Sequence, residues 1–167
     1  MLLVVLGTAL VGADAAGVRV VLRALYDATA GPQWSDSTNW LGNTSVCLWH
    51  GIRCNHNSSV IALDLRSNSL SGTLPAEING LVSLQSLNIA MNQFLSGTVP
   101  SQLSQLSQLT TLDLDTTSIS GTVPSQLSQL SQLTTLDLDT TSISGTVPSQ
   151  LSQLSQLTTL DLSLIHI

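Results

Sequence analysis

Between residues 60 and 162 the apolar positions of this chain recur on a fixed schedule. Leu112 and Leu114 alternate with Thr111, Asp113 and Asp115, the two-residue period of a short half-buried strand. Ile119 and Val123 carry the apolar line through a turn marked by Ser120-Gly121, and Pro124, which cannot donate to a ladder, stops any strand. Leu127, Leu130 and Leu133 then follow at a spacing of three, which predicts a 3₁₀-like or irregular return with one apolar edge. Residues 100–123 are repeated letter for letter at residues 124–147, and a third copy runs from Pro148 through Leu162, so the period is 24. Two diverged units stand upstream, residues 60–83 and 84–108, the second with one extra residue around Phe94-Leu95. Later units begin at Leu109, Leu133 and Leu157, giving four full units and a fragment. One such coil cannot bury its own apolar side, whereas stacked coils bury each other's. The expected architecture is an α/β solenoid with a parallel sheet along one side.

The first unit spells L-x-x-L-x-L-x-x-N-x-L-S-G-x-[LIV]-P through Val60, Leu63, Leu65, Asn68, Leu70, Ser71, Gly72, Leu74 and Pro75. The second follows through Leu84, Leu87, Ile89, Asn92, Ser96, Gly97, Val99 and Pro100. This pattern resembles the plant-type leucine-rich repeat. The resemblance implies a right-handed coil, a concave parallel sheet and a helical N-terminal cap. Upstream, Ala24-Leu25-Tyr26, Thr38-Asn39-Trp40-Leu41 and Cys47-x-Trp49-x-Gly51-Ile52-x-Cys54 are similar to that family's cap. The residues agree independently. Val18, Val21, Leu22, Leu25 and Tyr26 fall at three- and four-residue steps of an amphipathic helix, which Gly31-Pro32 ends. Trp34, Trp40 and Trp49 then cover the first coil's open edge, or else stack on carbohydrate at the surface. One departure matters. Where the first two units have Asn68 and Asn92, the later ones have Thr117 and Thr141. The resemblance implies that the Asn bonds neighbouring coils, and Thr satisfies fewer groups, so the later units are expected to be the less stable ones.

The ends and the cysteines point to export. Residues 1–15 read as a signal peptide: a mostly apolar run, then Ala13-Asp14-Ala15, too short to span a bilayer. Residues 16–59 are the expected cap and residues 60–162 the repeat array. The tail, residues 163–167, abandons the pattern as a truncation or an artefact. In an oxidising compartment Cys47 and Cys54 would pair; a zinc site with His50 and His56 is the alternative, with a spacing unlike a usual finger. Asn43 and Asn57 stand in glycosylation sequons, used only on a secretory route.

Charge narrows the partners. The net charge is −6, with four arginines and no lysine against 10 acidic residues, and every side chain after Arg66 that is charged at neutral pH is acidic. No basic face exists for nucleic acid or for an anionic membrane surface. Only 8% of residues are charged, against roughly a quarter in ordinary domains. Strand side chains alternate, so Thr111, Asp113, Asp115, Thr135, Asp137 and Asp139 stand opposite the buried leucines as two acidic columns, with Asp64, Arg66 and Asn88 upstream. Three uses are open: a solvated face, a docking surface for a cationic partner, or weak Ca²⁺ sites. A hydrolytic triad needs a base beside its nucleophile, and the three histidines lie in the cap or the tail. The carboxylates are expected to face open solvent without the burial that tunes a general acid, and no cofactor is expected. The resemblance implies a secreted or extracellular module that binds a protein or peptide. It would be either the ectodomain of a receptor-like kinase, with a membrane span beyond residue 167, or an inhibitor of a cell-wall enzyme. In-register Thr110, Thr111, Thr116 and Thr117 raise ice binding as a further alternative, against which the intervening aspartates argue.

Overall fold

In the computed structural model residues 12–163 are described. Residues 1–11 of the expected signal peptide, and 164–167 of the tail, lie outside the described residues, while residues 12–15 open the first helix. That helix, α1 (Gly12–Ala28), buries Leu22 and Leu25 completely and packs Val18, Val21 and Tyr26 against the same core. The Thr29 hydroxyl donates to Leu25 O at 2.6 Å, and the chain turns at Ala30 with φ 55°. A 3₁₀ turn at Gly31–Gln33 follows. Tyr26, Trp34, Trp40 and Trp49 then form one chain of ring contacts, with centroids 4.7 to 5.9 Å apart. The three tryptophans are 2 to 8% exposed, which makes them core and removes the carbohydrate-stacking alternative. Arg19 lies 5.2 Å from the Trp49 ring centroid and donates to Gly42 O and Thr44 O, tying α1 to the loop beneath it. Cys47 and Cys54 are joined in a disulfide. Two bonded sulfurs offer no thiolate for zinc.

Among the described residues ten short strands carry the rest: β1 (Ile52–Cys54), β2 (Val60–Asp64), β3 (Ser71–Thr73), β4 (Ser86–Asn88) and β5 (Phe94–Ser96). Then come β6 (Thr111–Asp113), β7 (Ser120–Gly121), β8 (Thr135–Asp137), β9 (Ser142–Ile143) and β10 (Thr159–Asp161). The main sheet runs β1-β2-β4-β6-β8-β10. Its first pair is antiparallel and joins cap to array; the others are parallel, with Leu63, Leu87, Leu112, Leu136 and Leu160 in one rank. Each coil returns through a 3₁₀ segment (Ala76–Gly80, Ser101–Gln105, Ser125–Gln129, Ser149–Gln153), because leucines at a spacing of three put one apolar row on such a segment. Leu103, Leu127 and Leu151 are the buried residues of the last three segments. The Ser120-Gly121 stretch, expected as a turn, belongs to a second line of strands, in which β3 pairs with β5, β7 pairs with β9, and Thr98 bridges Ser120. Gly72 holds φ 115° there, where a Cβ would sit 2.2 Å from Ala28 O, so only glycine lets α1 meet this strand.

One buried polar position per coil differs between the two halves of the array. Asn92 Oδ1 accepts from the amides of Asn68 and Leu70 in the preceding coil, and its Nδ2 donates to Leu65 O, Ile89 O and Ala90 O. Asn68 does the same toward the cap, accepting from Asp36 N and donating to Asp36 O. Thr117 and Thr141 are buried at these positions, but each hydroxyl donates only within its own coil, to Leu114 O and Leu138 O. The asparagine ladder therefore stops after Asn92.

Candidate binding face

The open side of the main sheet is built by alternation: β6 buries Leu112 and turns Thr111 and Asp113 out, and β8 repeats this with Leu136, Thr135 and Asp137. Pairing aligns Asp64, Asn88, Asp113, Asp137 and Asp161 in one rank. Ladder bonds beyond the strands, Met91 N to Asp115 O and Thr116 N to Asp139 O, continue the register, so Arg66, Ala90, Asp115 and Asp139 form a second rank. The structure gives the two columns different work. In the first rank each Asp or Asn accepts the amide two residues on, at 3.0 to 3.2 Å, and so caps its own strand exit. In the second rank Asp115 and Asp139 accept the hydroxyls of Thr116 and Thr140, and Asp139 Oδ1 is buried without a partner.

The acids are crowded. Burial pushes the Asp113 carboxyl above its ordinary value against the opposing Asp115 amide, with Asp137 and Asp115 adding to the rise and Arg66 opposing it. Asp137 is raised in the same way, with Asp115, Asp161 and Asp139 contributing. Hydrogen bonds from Ser163 hold the exposed Asp161 below its ordinary value. Arg66, the single base of the face, reaches Asp113 at 3.7 Å by crossing the gap that Ala90 leaves between them. Among the described residues no three His, Cys, Asp or Glu side chains converge for a metal ion. The ranks run as lines along the sheet rather than as cages.

The threonines do not form a free rank. Thr110, Thr134 and Thr158 donate to backbone oxygens of the preceding coil at 2.8 to 3.0 Å, Thr116 donates to Asp115, and Thr117 is buried. Thr111, Thr135 and Thr159 alone stand in register on the open face. Sequence reasoning missed a feature beside them. A cleft of about 300 Å³ lies alongside the second rank, lined by Ser67, Ser69, Met91, Asn92, Phe94 and Thr116. Met91 and Phe94 are 47% and 63% exposed there. The signal was available, since the extra residue of the second unit falls at Phe94. In the cap, Asn43 and Asn57 are both exposed.

A solenoid of stacked strand-and-3₁₀ coils behind a disulfide-bonded helical cap is the architecture of leucine-rich repeat proteins. Leucine-rich repeat family models match residues 101–164, and residues 59–81 and 83–106. The chain belongs to the leucine-rich repeat family. Among curated relatives it is 40% identical over 92 residues to receptor-like protein kinase BRI1-like 3 of Arabidopsis thaliana, covering 51% of this chain and 8% of that protein. The chain thus spans less than a tenth of that relative. Among solved structures it is similar to the BIR2 ectodomain of Arabidopsis thaliana, with TM-score 0.78, 33% identity, and coverage of 86% of this chain and 77% of that one. It is also similar to a plant ice-binding protein, with TM-score 0.81, 31% identity, and coverage of 87% and 47%. No helix among the described residues is long and apolar enough to cross a membrane.

Proposed function

We propose that the chain is an extracellular recognition module that binds a protein or peptide on the open, concave face of its main sheet. The contact residues are Thr111, Asp113, Asp115, Thr135, Asp137 and Asp139, with Asp64, Arg66 and Asn88 at the cap end. The observation that carries this reading is the face itself: two in-register polar ranks, half-exposed, on a rigid scaffold similar to a receptor ectodomain. The arrangement suits binding, because the acids stand in rows along an open sheet rather than converging in an enclosed pocket. Export through residues 1–15 and glycans at Asn43 and Asn57 belong to the same reading, as does the division into a cap (16–59) and an array (60–162). The chain acts either as the sensing part of a receptor-like kinase or as a secreted inhibitor of a cell-wall enzyme. To test this, the full chain is screened against panels of extracellular proteins and secreted peptides. Binding lost on Asp137→Arg and kept on Gln126→Arg, which lies in a 3₁₀ return, supports the face; binding kept by both variants overturns it.

A second reading, ice binding, is favoured by the likeness to the plant ice-binding protein and by the rank of Thr111, Thr135 and Thr159. Against it, the aspartates flank that rank, and the other threonines spend their hydroxyls on the protein. Thermal hysteresis or inhibited ice recrystallisation, abolished by Thr135→Lys, would establish it over peptide recognition.

A further inference from the structure

The exposed apolar pair Met91 and Phe94 has a specific origin and a specific neighbour. Unit two carries one residue more than its neighbours between Asn92 and Leu95, and pairing absorbs it by turning Phe94 outward while Leu95 stays fully buried. Met91 holds φ 57°, in the same left-handed position as Ser67, Thr116 and Thr140 of the other coils. The two apolar side chains therefore line one cleft at the rim of the open face. An apolar pair is costly to leave in water, since each such side chain gains on burial. The second rank beside it reads Arg66, Ala90, Asp115, Asp139 along the solenoid, from base through a gap to two acids. Asp139 keeps one buried carboxylate oxygen without a partner. The rim thus combines an apolar hole with a one-way gradient of charge.

We propose that this rim takes a short extended peptide bearing one apolar side chain, followed at alternate positions by lysine or arginine. It rests on the recognition role proposed above and names the ligand chemistry of that face. Strands lie roughly 4.8 Å apart, whereas like-facing side chains of an extended peptide repeat at about 6.8 Å. With the apolar side chain seated between Met91 and Phe94, the next cation falls between the Asp115 and Asp139 coils, within reach of either carboxylate. The following one reaches past Asp139 toward Asp161 of the last coil. Arg66 repels cations at the opposite end, so the peptide lies in one direction only: apolar residue over the second unit, basic residues toward the third and fourth.

The test uses the full 167-residue chain and fluorescein-labelled, amidated peptides: Phe-Ser-Arg-Ser-Arg, Phe-Ser-Glu-Ser-Glu and Ala-Ser-Arg-Ser-Arg. The first should bind at least about tenfold more tightly than the other two, and weaken with salt. Asp115→Asn and Asp139→Asn should each cost roughly twofold to fivefold, the scale of a half-exposed ion pair. Phe94→Ser should erase the preference for the phenylalanyl peptide. Asn suits the left-handed backbone of Met91, so Met91→Asn gives a second variant that keeps the fold. Equal binding of the acidic peptide, or no change on either Asp substitution, overturns the proposal. Selection of a random displayed library separates it from the broader reading. Selected peptides of other chemistry that lose binding on Asp137→Arg overturn the cationic assignment and leave the recognition role. No selected peptide, or selected peptides indifferent to that substitution, overturns both.

Discussion

Asn92 and Thr141 occupy the same place in their coils, yet one bonds two coils and the other bonds only its own. An Asn amide offers two donors and an acceptor, enough to reach three carbonyls and two amides; a Thr hydroxyl, one atom shorter, reaches one carbonyl. Thr141→Asn should restore the rung, its oxygen accepting from the Thr117 and Ile119 amides at the spacings Asn92 uses. At about 1 kcal/mol for each hydrogen bond, a gain of roughly 1–2 kcal/mol in urea denaturation is expected. The aspartates act in the opposite sense. Asp113 and Asp137 are raised in the folded chain, so the fold binds protons more readily than the unfolded chain does. Their charged forms destabilise at neutral pH, and that cost lifts as pH falls through their raised folded values. Asp36 is lowered, chiefly by hydrogen bonds from Thr38, and its contribution is lost only below the ordinary carboxylate range. Thermal denaturation should therefore show stability rising as pH falls from neutral toward the ordinary carboxylate value of 3.8, and falling below it. Asp137→Asn should flatten the rise.

At the scale of elements, what was legible in the sequence is what has a local cause. The Leu112/Leu114 alternation, the leucines at spacing three and the helical face of Leu22 and Leu25 each follow from neighbours a few residues away. The second line of strands was not legible. Ser71-Gly72-Thr73 and Ser120-Gly121 have turn-forming residues and no alternation, and they become strands only because an adjacent coil offers its backbone. Phe94 was visible as an insertion, but its exposure depends on which residue the pairing rejects. The site was half legible: alternation places the acids on one face, whereas their unequal roles depend on amides two residues on and on hydroxyls beside them. One consequence belongs to this scale. Amides of residues 109–163, which lack the asparagine rungs, should exchange with deuterium faster than those of residues 60–100. Equal protection in the two halves would refute the ladder argument.

For the whole molecule, the cap matters because a stack of coils has two raw ends. The aromatic chain Tyr26–Trp34–Trp40–Trp49 covers one of them. At the other, Leu160 is 43% exposed where Leu112 and Leu136, its equivalents, are fully buried. A further 24-residue copy inserted after Val147 makes only contacts already present between β6 and β8. Circular dichroism should show the signal per residue unchanged and the fold retained. The identity of the copies also has a cost. Thr135–Asp137 and Thr159–Asp161 are the same tripeptide, so either can pair with Thr111–Asp113 and make the same bonds. A slipped stack forfeits the looped-out coil's buried leucines and adds a loop entropy that grows only as the logarithm of loop length, but every bond it does make is a native one. The same degeneracy holds between chains, so a coil lent by a second molecule fits as well as the chain's own. During refolding at high concentration, this protein's chief competitor for its native partners is itself.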